Sequence, residues 1–286
     1  MPDSAGGSDT PPLDAGRYAG DLALAMALAE QAAAAIRQLF ESGPLAVQEK
    51  ADHSPVTAAD LAANEIIVQG LRIARPEDAI LTEEAVDDGR RFATDRVWLV
   101  DPLDGTRDFV ERSPEFAVHI ALVERGEPVV GVVALPMLGQ VAAAVRGAGA
   151  VLMNAHGAHV LRVAPERGIG MLRTGVSRFA MNPPLTRFLQ QNGLTQRAVP
   201  CGASVKHVRL ADGLLDLCLT LHGRECEWDS AAPGLIVTEA GGRVTDVDGA
   251  PLVYNQKNVQ HRRGLVLSSG PHHAVLARLA AECFPP

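Results

Sequence analysis

Six consecutive residues, Asp101-Pro102-Leu103-Asp104-Gly105-Thr106, concentrate more potential chemistry than any other stretch of the chain. They follow Val97-Trp98-Leu99-Val100, an apolar run that predicts a buried strand ending at Asp101. Two carboxylates three residues apart put hard oxygen donors at a sheet edge. Magnesium takes oxygen ligands at about 2.0–2.1 Å and commonly holds substrate phosphate through one or two carboxylates. Gly105 lets the backbone approach a ligand, and Thr106 adds a hydroxyl and an amide. The chemistry implied is metal-assisted attack on a phosphate ester. Taken alone, Asp-x-x-Asp-Gly also serves as an ordinary turn, with Asp bonding its own backbone and Gly supplying positive φ.

Two further segments favour the metal reading. Ile80-Leu81-Thr82-Glu83-Glu84-Ala85 is again an apolar strand ending in acids, with Glu84 read as a solvated or supporting group. In Glu227-Trp228-Asp229-Ser230-Ala231-Ala232 an acid opens an Ala-rich apolar segment. Asp229 also fits a plain helix start, where a negative charge complements the dipole. Acidic ends this far apart in sequence converge on one cleft only in an α/β fold, where sites gather at element ends.

These segments resemble the signature of the inositol monophosphatase superfamily, magnesium-dependent and lithium-sensitive phosphatases. The likeness rests on Asp101–Thr106 and on Trp228-Asp229 followed by Ile236-Val237-Thr238-Glu239-Ala240-Gly241-Gly242, and it runs from about Asp52 to Tyr254. It implies a layered α-β-α-β-α sandwich, with an antiparallel larger sheet, a smaller mixed sheet and the site between them. It further implies that Glu83, Asp101 and the Leu103 carbonyl hold one magnesium. Asp101, Asp104 and Asp229 would hold a second, with a weaker third ion in parts of the family. Two ions about 3.5–4 Å apart stabilise both the attacking and the leaving oxygen of an in-line displacement. Thr106 and Asp60 are the expected water-positioning pair, and Asp60 reads equally as a helix-capping acid. Glu83 joins them as a catalytic residue. The amides of Gly105 and Thr106 would cradle phosphate, with Glu83, Leu103, Asp104, Lys206 and Asp229 also facing substrate. Water is the nucleophile, so no covalent intermediate is implied.

Within the superfamily three features resemble the 3′(2′),5′-bisphosphate nucleotidase branch, whose members act in sulfur assimilation. They are Asp52-His53-Ser54-Pro55-Val56-Thr57-Ala58-Ala59-Asp60, the Arg107-Asp108-Phe109 that follows Gly-Thr, and Glu227-Trp228-Asp229. Lys206 stands where that branch has a lysine near the nucleotide's non-reacting phosphate; an exposed helix lysine is the other reading. Two departures stand against the likeness. Thr220 occupies the place of an expected arginine, for which Arg224 is a candidate replacement, and Thr82 replaces a usual glycine. His222 stands where the inositol branch has a sugar-gripping acid. The expected reaction is adenosine 3′,5′-bisphosphate to AMP and phosphate. An inositol or other sugar-phosphate phosphatase is the alternative, and a non-catalytic phosphonucleotide sensor the remote one.

Composition agrees with a globular enzyme. The 286 residues are 47% hydrophobic and 21% charged, with net charge −8, enough chain for one domain or two closely packed halves. The negative balance disfavours a nucleic-acid polymer or an anionic membrane as main partner. A small phosphorylated substrate stays compatible, because bound metal reverses the local field. Cys201, Cys218, Cys226 and Cys283 show no paired spacing and read as reduced thiols of a cytoplasmic protein, monomer or homodimer. Residues 1–16, rich in Ser, Gly, Pro and Asp, predict a disordered tail rather than a signal peptide. Val129–Val145, the most apolar stretch, is too short and too interrupted to span a membrane.

The remaining pattern positions these residues. Leu22, Met26, Ala29, Ala33, Ile36 and Phe40 predict an amphipathic helix stopped by Gly43-Pro44. Thr57 and Asp60 predict a capping pair for a second helix that ends before Pro76. Strands follow near 79–82 and 97–101, then an antiparallel meander from Phe116 to Leu152. The second half predicts strands near 170–176, 197–201, 214–220 and 264–268, and helices near 184–192, 204–212, 229–240 and 272–283. Asp246-Val247-Asp248-Gly249 predicts a hairpin turn. The domain is expected over 17–284, with subdomains dividing near 153.

Overall fold

The computed structural model describes residues 13–43, 46–49, 55–202 and 204–285. Residues 1–12 of the expected tail, Pro44 of the expected helix stop and Asp52-His53-Ser54 of the nucleotidase-like segment lie outside the described residues.

Helix α1 (Ala19–Glu41) buries Ala25, Leu28, Ala29, Ala32, Ala33, Ile36 and Phe40. With its leading turn, 16–41 is long and apolar enough to cross a membrane by length and composition, the one such helix among the described residues. Here its apolar face packs on the second helix and the larger sheet. Strands β1 (Val47–Glu49) and β2 (Pro55–Thr57) pair antiparallel and lead into α2 (Ala58–Ala74). Thr57 caps α2, and Asp60 closes the capping box, satisfying backbone donors that a helix start leaves unpaired.

The larger sheet has seven strands in sequence order: β3 (Ala79–Thr82), β4 (Arg96–Asp104), β5 (Ala117–Glu124), β6 (Glu127–Leu135), β7 (Gln140–Val145), β8 (Gly149–Asn154) and β9 (Gly157–Val160). The short helix α3 (Thr106–Val110) lies between β4 and β5. The sheet is not wholly antiparallel as expected. β3 and β4 run parallel, joined by the 83–95 crossover, and the remaining pairs are antiparallel. This one parallel pair brings the C-terminal ends of β3 and β4, and the acids that follow, to the same edge. Both faces are covered, which is why the strands read as continuous apolar runs. Trp98 and Val100 face α1 and α2, whereas Val97 and Leu99 face the interior between the two sheets.

The smaller sheet has the order β11-β10-β12-β14-β13. Its elements along the chain are β10 (Thr174–Ser177), α4 (Pro183–Gln191), β11 (Ala198–Cys201), α5 (Val205–Ala211), β12 (Leu217–Thr220), α6 (Glu227–Glu239), β13 (Arg243–Thr245), β14 (Leu265–Ser268) and α7 (His273–Cys283). Strand β10 is parallel to β11 and β12; β14 is antiparallel to β12 and β13. The Asp246–Gly249 turn forms, with the Gly249 amide donating to the Asp246 carbonyl. It does not close a hairpin: β13 pairs with β14 only after the chain has run through 246–264. The residues past the turn are drawn away by Tyr254, buried in the core, and by Asn255 and Gln256, whose amides bond to Glu227.

The layers are α1/α2, larger sheet, α5/α6, smaller sheet, α4/α7. Leu217, Leu219 and Val266 point to α4 and α7, while Cys218, Leu265 and Leu267 point to the middle layer, the two-residue period of strands. Helix α6 is the centrepiece, with Ala231, Ala232, Ile236 and Val237 fully buried, as befits a helix apolar on every side.

The closeness of α6 to the larger sheet depends on Gly131. A Cβ there would sit 2.9 Å from the Ala232 carbonyl oxygen and 3.1 Å from its Cα. Both neighbours are backbone and neither can swing away. Gly131→Ala should therefore cost about 1–3 kcal/mol, as overpacking does. That corresponds to roughly 2–4 °C of melting temperature per kcal/mol. An unchanged melting temperature would show that this helix–sheet contact has slack.

Candidate active site

Three element ends supply the acids. Glu83 follows β3, and its amide donates to the Val100 carbonyl at 3.2 Å, placing it beside Asp101. Asp101 continues the alternation of Val97 and Leu99 and so faces the middle layer. Asp104, three residues on, would face the other way in a regular strand. The β4–β5 register shifts between Asp101 and Asp104, where Asp101 opposes His119 and Asp104 opposes Ala117. This bulge resets the alternation. Leu103 then packs toward α1 and α2, and Asp104 turns to the side that Asp101 faces. Asp229 comes from the first turn of α6.

Each of the three aspartates takes a backbone amide. Leu103 N donates to Asp101 Oδ1 at 3.0 Å, Ser204 N to Asp104 Oδ2 at 2.7 Å, and Cys226 N to Asp229 Oδ2 at 2.7 Å. Burial, then the charges of Glu83, Asp104 and Asp229, push the Asp101 carboxyl well above the usual range. Asp229 is raised the same way, by burial and then by Glu225, Asp104 and Glu83. Burial also raises Asp104, but His119, Lys206 and Ser204 outweigh it and hold this carboxyl low. His119 is fully buried, with Nε2 3.3 Å from Asp104 Oδ2 and Nδ1 3.3 Å from the Trp228 carbonyl. The Nε2 contact lacks hydrogen-bond alignment.

Thr106 and Asp60 meet directly. Thr106 Oγ1 donates to Asp60 Oδ1 at 2.8 Å and lies 3.2 Å from the Leu103 carbonyl. The other oxygen, Asp60 Oδ2, accepts from Thr57 N at 2.8 Å and Thr57 Oγ1 at 2.7 Å. Asp60 thus caps α2 with one oxygen and holds Thr106 with the other. Gly105, at φ +92°, makes the left-handed turn that sets Thr106 at the start of α3.

Among the described residues no three His, Cys, Asp or Glu side chains are drawn together closely enough to hold an ion as they stand. One oxygen of each aspartate faces a backbone donor instead. The donor set nevertheless suits a hard divalent cation. It is all oxygen and buried or half-buried; burial and then mutual repulsion raise Asp101 and Asp229, and an added cation would relieve that repulsion.

A cavity of about 170 Å³ opens from Asp104 and Gly105. Lys206, on α5 and only 5% exposed, lines it, so it is not the exposed helix lysine. Thr220, at the end of β12, lines it too, whereas Arg224 is exposed and is not among its walls. The cavity's arginine is Arg107, whose guanidinium sits 4.7 Å from the centre of the Phe179 ring. Glu225 lines the cavity as well. Sequence reasoning passed over Glu225, His119 and Phe179. The signal for Glu225 was its place in the acidic run that ends at Asp229; His119 is the one polar residue within the apolar run of β5. A larger hollow of about 420 Å³, lined by Arg72, Asp78 and Arg90, lies at the opposite end of β3 and β4 and contains none of these acids.

The model of the inositol monophosphatase family matches residues 20–283. The chain belongs to the inositol monophosphatase family. It is a phosphoric monoester hydrolase, which sets aside a non-catalytic sensor. It is 36% identical over 232 residues to the 3′(2′),5′-bisphosphate nucleotidase CysQ of Escherichia coli strain K12, covering 80% of this chain and 92% of that one. It is 37% identical over 246 residues to a histidinol-phosphatase of Streptomyces coelicolor, covering 82% and 89%. The crystal structure of CysQ from Bacteroides thetaiotaomicron, a bacterial family member, superposes with a TM-score of 0.76 at 28% identity, over 89% of this chain and 99% of that one.

The two sides of Asp60 can be separated by mutation. Thr57→Ala removes the cap and one of the two bonds that hold Asp60 Oδ2; it should cost about 0.5–2 kcal/mol of stability and lower kcat far less than loss of the Thr106 hydroxyl does. Thr106→Ala leaves the cap and should lower kcat on the order of 100-fold, with KM little changed. Melting curves and initial rates on any hydrolysed monoester check both. A normal kcat with a raised KM in Thr106→Ala would move this hydroxyl from catalysis to binding.

Proposed function

We propose that this phosphatase is a 3′(2′),5′-bisphosphate nucleotidase converting adenosine 3′,5′-bisphosphate to AMP and phosphate. The observation that carries this reading is Lys206, a buried ammonium in the wall of the cavity that leads from Asp104. A bisphosphate offers a second anion to that ammonium while its first phosphate lies at the acids. The Phe179 face with Arg107 above it adds a platform suited to a planar base.

Glu83, Asp101, the Leu103 carbonyl, Asp104 and Asp229 would hold magnesium. When bound, magnesium neutralises phosphate charge and lowers the pKa of a coordinated water. The chain's own groups do the rest. The Thr106 hydroxyl directs its proton to Asp60, so its oxygen lone pairs remain to accept from the attacking water and fix its orientation. Asp60 is itself locked by Thr57, so this alignment is preorganised. The Gly105 and Thr106 amides would receive the phosphate oxygens. We place the reaction in the cytoplasm, in keeping with four cysteines that are all unpaired.

Histidinol phosphate hydrolysis is the second reading. It is favoured by the equal likeness to a histidinol-phosphatase and by Glu225, an anion in the cavity wall that suits a cationic substrate. Glu225 also brings an acid to the cavity, where His222 had counted against a sugar hydroxyl.

Phosphate release from adenosine 3′,5′-bisphosphate, histidinol phosphate, inositol 1-phosphate and fructose 1,6-bisphosphate, compared by kcat/KM, tests the proposal. The nucleotide should lead. Lys206→Ala should raise KM for the nucleotide by about tenfold, 1.4 kcal/mol, and leave the monophosphates nearly unaffected. Equal effects on all substrates would remove the nucleotidase reading. Asp101→Asn should reduce turnover at least 100-fold, about 2.7 kcal/mol, without loss of the fold. A variant that keeps a tenth of wild-type rate would refute Asp101 as a metal ligand.

A further inference from the structure

The acids that reach the site from β3 and from α6 are joined behind it by a residue that neither the reaction nor the sequence motifs account for. Arg91 lies in the crossover between β3 and β4, with its side chain only 2% exposed. Its Nε donates to Asp87 Oδ2 at 2.9 Å. Asp87 lies four residues after Glu83, in the same crossover. The two remaining arms leave the crossover: Nη1 donates to Asn255 Oδ1 at 2.7 Å and Nη2 to the Gln256 carbonyl at 2.9 Å. Asn255 Nδ2 returns a bond to the Arg91 carbonyl at 3.0 Å. The amides of Asn255 and Gln256 in turn donate to Glu227, at 2.6 Å to Oε2 and 2.8 Å to Oε1. Glu227 is 1% exposed and opens α6, two residues before Asp229.

The geometry points to Arg91 as a positioning residue for the metal-binding acids: it fixes the Glu83 crossover against the start of α6, and so the spacing of Glu83 from Asp229. The inference rests on the reading of those acids as metal ligands. Several features argue for a device rather than a chance ion pair. A guanidinium in this burial costs much desolvation, recovered only by satisfying its donors. Its rigid planar fork reaches three acceptors on two separate segments, which a lysine cannot do. Asn255 takes φ +61° to present its amide here, a left-handed conformation that asparagine tolerates better than most. Groups that hold a ligand from behind commonly change metal affinity about 10–100-fold when removed.

The test is direct binding of Mn2+ to the full chain, read as loss of the free-ion EPR signal, for wild type, Arg91→Lys and Arg91→Gln. Leu276→Ala, which empties a core position under α7 away from the acids, is the control for lost stability. The Arg91 variants should bind Mn2+ about 10–100-fold more weakly, and Leu276→Ala as wild type does. Wild-type affinity in either folded Arg91 variant overturns the proposal. So does an equal weakening in Leu276→Ala, which would make the effect one of general stability. A wild-type chain that binds no Mn2+ removes the metal reading and this inference with it. A wild type that binds Mn2+ but turns over none of the esters leaves the inference standing and removes only the choice of substrate.

Discussion

Two carboxylates about 4 Å apart at an effective dielectric of about 20 repel by roughly 4 kcal/mol. This chain gathers Glu83, Asp101, Asp104, Glu225 and Asp229 at one buried end of a sheet, where Asp101 and Asp229 are held with raised affinity for protons. That repulsion is the constraint the rest of the structure answers. Each aspartate is tied by a backbone amide that cannot move without moving its element. Lys206 supplies positive charge on the Asp104 side, and His119 lies against the same carboxylate. Holding the acids together costs stability, and the three apolar cores on the faces of the two sheets are what offset it.

Topology does the placing. A parallel β3–β4 pair brings two strand ends to one edge, whereas an antiparallel pair would send Glu83 and Asp101 to opposite ends of the sheet. The bulge after Asp101 then turns Asp104 onto the same face. Helix α6 enters the middle layer with its first turn at that edge, and its small residues let it lie against Gly131. Asp60 couples the chemistry to a helix cap, so the same carboxylate starts α2 and orients Thr106.

Much of this was legible in the sequence because the relevant signals are local. Apolar runs that stop at acids located β3 and β4. Thr57 and Asp60 spelled a capping box, and the meander showed in its turn residues. In the second half helix starts fell within two residues, with α6 opening at Glu227 rather than the expected 229. The parts that were not legible depend on partners distant in sequence. Nothing near Ala79 says that its strand runs parallel to β4. Nothing after Gly249 says that Asn255 and Gln256 will be claimed by Glu227 and Arg91, so the turn was expected to close a hairpin. Strand β9 is largely exposed and lacks the apolar pattern that marked its neighbours. Lys206 could not be told from a solvated helix lysine, because α5 is buried on sides that only the folded chain reveals.

Most of the acids come from the larger-sheet half, and much of the cavity wall from the smaller-sheet half. Glu83, Asp101, Asp104 and Thr106 sit on the larger sheet and its adjoining turn, whereas Phe179, Lys206 and Leu221 come from the smaller-sheet half. The halves are clamped beside the cavity by Glu115, which accepts from Arg178 at 2.7 Å, Arg209 at 2.7 Å and the Gly202 amide at 2.7 Å. Arg178 also reaches Asp108, which lines the cavity. On the proposed mechanism, attack on phosphate uses groups of the first half and the start of α6, and the cavity wall around Lys206, Phe179 and Glu225 is where the ester would be chosen. The chain is about as similar to a nucleotidase as to a histidinol-phosphatase, so overall identity does not choose between the two esters. An ammonium and a carboxylate in one small wall select by charge pattern, the first for a second phosphate and the second for a cationic group.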